Sequence, residues 1–178
     1  MAKEIDQLTT LLKEEWLKQG LDDELNRAER FGRDLGLLLI EPDIPADLKR
    51  DLNYPVMKKL GTLAKEVLRV VDVGVRIKDK LFFLLPETSV EGVEVATSKL
   101  AERFHQATFV DASTGASYQG RFRSASLVFP GQTKDRENIL ERLTAELKPH
   151  GAGDAPSKDP SPPASAALET APPEAQEG

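Results

Sequence analysis

The stretch "LRVVDVGVRIKDKLFFLLPET", Leu68–Thr88, decides the fold. Val71, Val73, Val75 and Ile77 alternate with Val70, Asp72, Gly74 and Arg76, the two-residue period of a strand. Leu81 to Leu85 is its hairpin partner. The tip between them, Lys78-Asp79-Lys80, contains no glycine.

Working outward, "LGLLLIE", Leu35 to Glu41, is a continuous apolar run after the breaker Gly32-Arg33-Asp34. A run of that length predicts a strand buried on both faces, in the middle of a sheet. A helix is expected from Ala2 to Arg33 with a break near Gly20, because Ile5, Leu8, Leu11, Leu12 and Trp16, then Leu21, Leu25, Ala28 and Phe31, fall at helical spacing. "PDIPADLKRDLNYP" reads as a loop, its three prolines blocking a continuous helix. Helices are expected at 56–68, 90–104 and 138–147, with a second hairpin around Gly115. A hairpin in the centre with helices as crossovers predicts an α/β sandwich, a central mixed sheet covered by helices.

Composition narrows the function classes. The 178 residues suffice for one domain with a core, expected over 1–148. With no cysteine and two histidines, thiolate chemistry is excluded and no metal site or cofactor is expected. The net charge of −6 gives no reason to expect nucleic acid as a partner. No apolar run is long enough for a membrane span, and the polar N-terminus is not a signal peptide, so a soluble cytoplasmic protein is expected. From Gly151 to Gly178 one lysine stands against five acids, a charge of −4, and this segment holds six of the twelve prolines. Residues 149–178 are therefore expected to form a disordered, acidic, Pro/Ala-rich tail, either inert or a docking segment.

The order of elements and several local strings resemble the GGDEF (diguanylate cyclase) domain family, over roughly residues 5 to 147. "DQLTTLLKEEWLKQGLDDELNRAERFGRDLGLLLIEPD" is similar to the family's D-x-L-T-x-L, E-L-x-R-A-x-R and apolar strand running into D-x-D. Asp6, Leu8, Thr9, Leu11, Glu24, Arg27 and Ala28 stand where that pattern wants them. The Leu68–Thr88 hairpin and the "AERF" helix end resemble R-x-x-D followed by the G-G-D-E-F hairpin and its helix. The resemblance implies the family's sandwich and a bacterial signalling context. It also implies a chemistry that joins two GTP molecules into cyclic di-GMP with two metal ions. Such chemistry needs carboxylates for the metals and glycines where backbone approaches the nucleotide.

This sequence departs from that pattern. The first metal carboxylate falls on Glu41, and Asp43 matches the second acid of D-x-D. The F-K-x-I-N-D and G-H signatures are absent, the signature loop reduces to Lys78-Asp79-Lys80, and "LKPHGAG" replaces the late phosphate-binding string. These residues read as a vestigial active-site loop, and the expectation is a chain with no catalytic residues that is not an enzyme.

What the resemblance keeps is R-x-x-D, the family's product-binding site, at Arg69 and Asp72 with Arg76 nearby. An arginine fork can hold a phosphate or the Hoogsteen edge of guanine, and a carboxylate can accept from guanine N1 and N2. The plain structural alternative is that Arg69 favours a helix C-terminus and Arg76 pairs with Asp72 along the strand. The apolar stripe Leu8, Leu12 and Trp16 is either packed on the sheet or a partner face with Trp16 as anchor. Nothing precedes the first helix, so the chain is expected to carry no sensor domain of its own. The expected function is signalling or scaffolding through a protein partner by a catalytically inactive domain. The alternative is a cyclic di-GMP receptor. Oligomeric state stays open.

Overall fold

The computed structural model describes residues 3–150. In chain order these form β1 (Leu12–Lys13), a 3-10 turn (Glu14–Trp16), α1 (Leu17–Phe31), β2 (Leu35–Pro42), α2 (Ala46–Val67), β3 (Val73–Ile77), β4 (Lys80–Pro86), α3 (Val90–His105), β5 (Thr108–Val110), β6 (Ser117–Gln119), β7 (Phe122–Phe129), α4 (Ile139–Ala145) and β8 (Lys148–His150). The expected tail lies, from residue 151, outside the described residues. No helix among them is long and apolar enough to cross a membrane.

The main sheet has the order β1-β3-β4-β2-β7-β8, with β1 parallel to β3 and every other pair antiparallel. The expected mixed sheet is present, and β2 lies mid-sheet as its apolar run predicts. Its alternate side chains feed two cores. Leu38 and Ile40, with Phe83 and Leu85 of β4, pack under α2 and α3. Leu35, Leu37 and Leu39, with Phe82 and Leu84, pack under α1 and α4. A strand covered on both faces has no polar positions to alternate, which is why β2 reads as a solid apolar run.

The N-terminal expectation is corrected. Helix α1 starts at Leu17, not at Ala2, and it continues through Gly20. Upstream, Asp6 organises a tight turn: its Oδ2 accepts from the Thr9 amide at 2.8 Å and the Thr9 hydroxyl at 2.7 Å. Thr10 then sits at φ 61°, which ends any helix. Leu12 and Lys13 pair with Val75 and Arg76 instead. Asp and Thr satisfy nearby backbone groups with their own side chains, and here that competition wins over apolar spacing. Gly20 does not break the helix. It lets the Trp16 indole lie against it, since a Cβ there would stand 2.3 Å from the ring.

The loop expected after Pro42 is also corrected. Helix α2 begins at Ala46 and contains Pro55. A proline inside a helix costs about 3 kcal/mol through its missing N–H and ring clash. Leu48 and Leu52, four residues apart ahead of it, are both buried. Burying a leucine side chain gives about 1.5–3 kcal/mol, so two of them offset the proline.

The hairpin around Gly115 is a separate two-stranded ribbon of β5 and β6. The chain then re-enters the main sheet as β7, pairing with β2 over its whole length. The unexpected edge strand β8 pairs Lys148–His150 with Ser124–Phe122, two residues past the expected boundary at 148.

Candidate functional site

The sheet presents chemistry at both ends of the β3–β4 hairpin. At one end Ile77 pairs with Lys80, leaving Lys78 and Asp79 as the turn. Lys78 adopts φ 55°, a left-handed conformation that costs a residue with a Cβ about 1–2 kcal/mol. On the neighbouring strands Glu41 stands opposite Arg123.

These groups join in a chain of ion pairs. Glu41 accepts from Arg123 through Oε2 and faces Lys80 Nζ at 3.4 Å through Oε1. Asp79 faces the same Lys80 at 3.4 Å and Lys49 Nζ of α2 at 3.1 Å. Burial works to raise the Asp79 carboxyl, but the hydrogen bond from Lys49 and the charge of Lys80 outweigh it and hold it below the usual range. Of the residues expected in this loop, the structure brings Glu41, Asp79 and Lys80 together. Lys78 and Asp43 are exposed and outside the chain of pairs, although the Asp43 amide donates to the Arg121 carbonyl at 2.9 Å. Lys49 and Arg123 were not singled out from sequence, since only the β2–β7 register and the extended α2 bring them here.

Both Glu41 oxygens face cations, so these residues do not fit a divalent ion as they stand. Among the described residues, no group of three or more His, Cys, Asp or Glu side chains is placed to hold a metal.

At the other end of β3, Arg69 and Asp72 form a closed turn. The Asp72 carboxylate accepts from the Arg69 amide at 2.7 Å and from Nη2 at 3.0 Å. Nη2 also donates to the Pro86 carbonyl at 2.6 Å and the Thr88 hydroxyl at 2.7 Å. The Arg69 side chain remains 52% exposed while that of Asp72 is 4% exposed. Between the pair, Val70 is fully exposed and Val71 largely so. A cleft of about 320 Å³ opens beside them, lined also by Thr88, Ser89, Val95 and Lys99.

Arg76 is not part of this turn, and the expectation that it pairs with Asp72 is corrected. Its Nη1 donates to Asp6 Oδ1 at 3.0 Å and its Nε to the Lys78 carbonyl at 3.0 Å. The N-terminal turn lies over β3 and captures it. Burial acts to raise the Asp6 carboxyl, yet the Thr9 hydrogen bonds and the Arg76 charge hold it below the usual range. Leu8, Leu12 and Trp16 are half-buried and pack against the two cores, Leu8 on the α2 side and the other two on the α1 side.

No protein-family model matches the chain, and no curated protein does. Solved structures do match. The GGDEF domain of FimX from Pseudomonas aeruginosa aligns over 81% of this chain and 91% of its own, with 15% identity and a TM-score of 0.69. The GGDEF domain of DgcB from Caulobacter crescentus, solved in complex with c-di-GMP, aligns over 82% of this chain and 87% of its own, with 15% identity and a TM-score of 0.66. The diguanylate cyclase SiaD from Pseudomonas aeruginosa, solved with its activator SiaC, aligns over 79% of this chain and 55% of its own, with 16% identity and a TM-score of 0.65.

The expectation that the chain is not an enzyme is thereby corrected. The architecture is shared with a diguanylate cyclase, and an altered hairpin tip alone gives no ground for excluding catalysis. At these identities the likeness establishes architecture, and on that basis the chain has the fold of a GGDEF domain.

Proposed function

We propose that this chain is a signalling domain that binds cyclic di-GMP at the Arg69–Asp72 turn. The observation that carries the reading is the division of labour within the pair. Asp72, buried, aligns the guanidinium, and Arg69 stays half-exposed beside a cleft that also holds Lys99 and the Thr88 and Ser89 hydroxyls. A fork fixed in advance loses less rotamer entropy on binding. With Nη2 already shared among Asp72, Pro86 and Thr88, Nη1 is the nitrogen left to donate to a guanine or phosphate acceptor. The match to DgcB, solved with c-di-GMP, supports the same ligand.

A protein partner is the second reading. Leu8, Leu12 and Trp16 are half-buried and offer a partner little area. Val95, which lines the cleft, and Val70 and Val71, on the Arg69–Asp72 turn, are exposed and offer more.

Calorimetric titration of cyclic di-GMP tests the proposal. Micromolar or tighter binding is expected, abolished by Arg69→Ala and weakened by Arg69→Lys, which keeps charge but loses the fork. Absence of heat at high ligand concentration, or equal binding by Arg69→Ala with an unchanged melting curve, overturns it and leaves the valine surface as the candidate contact.

A further inference from the structure

Asp72 is closed to a ligand. Its Oδ1 accepts from Arg69 Nη2 at 3.0 Å, its Oδ2 accepts from the Arg69 amide at 2.7 Å, and its side chain is buried. The hydroxyls of the cleft are engaged as well. Thr88 accepts from Arg69 Nη2 at 2.7 Å and donates to the Pro86 carbonyl at 3.0 Å. Ser89 accepts from the Gly92 amide at 3.2 Å as the cap of α3.

The carboxylate that stays open is Glu87, which lines the same cleft and has a side chain 60% exposed. Arg33 Nη1 donates to its Oε1, and its Oε2 has no partner among the described residues. Exposed ion pairs of this kind are weak, so Arg33 does not withhold the carboxylate from a ligand. The backbone is fixed on both sides of Glu87. Arg69 Nη2 donates to the Pro86 carbonyl before it at 2.6 Å, and the Thr88 amide after it donates to the Asp34 carbonyl at 3.3 Å. Glu87 itself sits at φ 53°, a left-handed conformation uncommon for a residue with a Cβ. The Arg69 guanidinium is thus bound to the residues on either side of Glu87, and the cation and the carboxylate are neighbours on the cleft.

We propose that Glu87 is the base-reading residue of this cleft: its carboxylate accepts the N1–H and N2–H of a guanine whose O6 accepts from Arg69 Nη1. The inference rests on the reading of the cleft as a cyclic di-GMP site and adds what selects the base. O6, N1–H and N2–H lie in a row on one edge of guanine, an acceptor followed by two donors, and an adjacent cation and carboxylate match that order. Val67, Leu68, Val95 and Ala96 line the same cleft and offer the flat ring apolar surface. Adenine reverses the first two positions. Its N6 amino group points a donor at the guanidinium, and its N1 points an acceptor at the carboxylate, so both protein groups lose water without gaining a partner.

Calorimetric titration of the full chain with cyclic di-GMP and with cyclic di-AMP tests the assignment. The unaltered chain is expected to favour the guanine ligand by roughly 100-fold, about tenfold for each of the two reversed contacts. Glu87→Gln puts one acceptor and one donor in place of two acceptors, so it can pair with either base. With an unchanged melting curve, it is expected to bind cyclic di-GMP about tenfold more weakly and to lose most of the preference. Arg33→Gln breaks the same ion pair but keeps the carboxylate, and it is expected to keep the preference. A preference unmoved by Glu87→Gln, or narrowed equally by Arg33→Gln, overturns the inference, as does equal binding of both ligands by the unaltered chain. Those results leave the cyclic di-GMP site standing wherever Arg69→Ala abolishes binding. No heat from the unaltered chain with either ligand overturns both readings together.

Discussion

Asp6 and Arg76, seventy residues apart, share a hydrogen bond of 3.0 Å that ties the N-terminal turn to strand β3. The same carboxylate holds Thr9 through its other oxygen. One side chain therefore closes a local turn and docks it on the sheet.

Asp6→Asn is expected to cost about 1–3 kcal/mol, the range for losing charge-assisted hydrogen bonds at a partly buried position. The pH dependence has a definite sign. The folded carboxyl titrates below its ordinary 3.8. Its contribution is therefore complete above that value and is lost as pH falls through the lower folded value. Urea denaturation of both proteins should show a gap at pH 7 that closes in strong acid. A gap constant down to pH 2 would mean that the carboxylate charge contributes nothing.

Gly61 is where the same turn meets α2. A Cβ there would stand 2.7 Å from the Thr9 carbonyl oxygen and 2.9 Å from its Cα, backbone atoms fixed by the Asp6 turn. Ordinarily alanine stabilises a helix interior by about 1 kcal/mol over glycine. Here Gly61→Ala should instead destabilise by about 1–3 kcal/mol through overpacking. Thermal melts decide the sign.

Gly20→Ala tests the other close approach. The clash is with the Trp16 ring, a side chain that can move. The fold should survive while the indole swings outward. Trp16 is the only tryptophan, so its fluorescence should shift to longer wavelength with little change in circular dichroism. An unshifted spectrum would show that the helix moves and the ring does not.

Glu41→Gln would leave Lys80 and Arg123 facing each other without the carboxylate between them. A half-buried ion pair broken on one side costs about 1–3 kcal/mol. Chemical denaturation should show the loss. Double replacement with Arg123→Gln should recover part of it, because the stranded cation is then removed as well.

The sheet was legible because its signals are local. Leu35–Pro42 is apolar at every position but Glu41 and Gly36, and Val73–Ile77 alternates. Both patterns follow from the two-residue period. The misread segments were those where a nonlocal contact outweighed a local rule. Leu8–Trp16 has helical spacing, yet the Asp6–Thr9 turn and pairing with β3 claim it. Pro45 and Pro55 suggested a loop, yet Leu48 and Leu52 gain more by burial than Pro55 costs. In the candidate sites, Arg69 and Asp72 were marked by the R-x-x-D pattern, though their pairing with each other was not read from it. The Lys49 and Arg123 partners were not, because nothing in their own neighbourhood marks them.

By itself the sequence determined the α/β class, the central strand and the β3–β4 hairpin, all set by periodicity. Only the tertiary structure decided that Arg76 serves Asp6 and leaves Asp72 to Arg69, and that Glu41 and Asp79 are both held by cations. It alone set His150 against Phe122 at the edge of the sheet. The physical reason is that charge pairing depends on distance in space, and sheet register brings together residues that the chain keeps far apart.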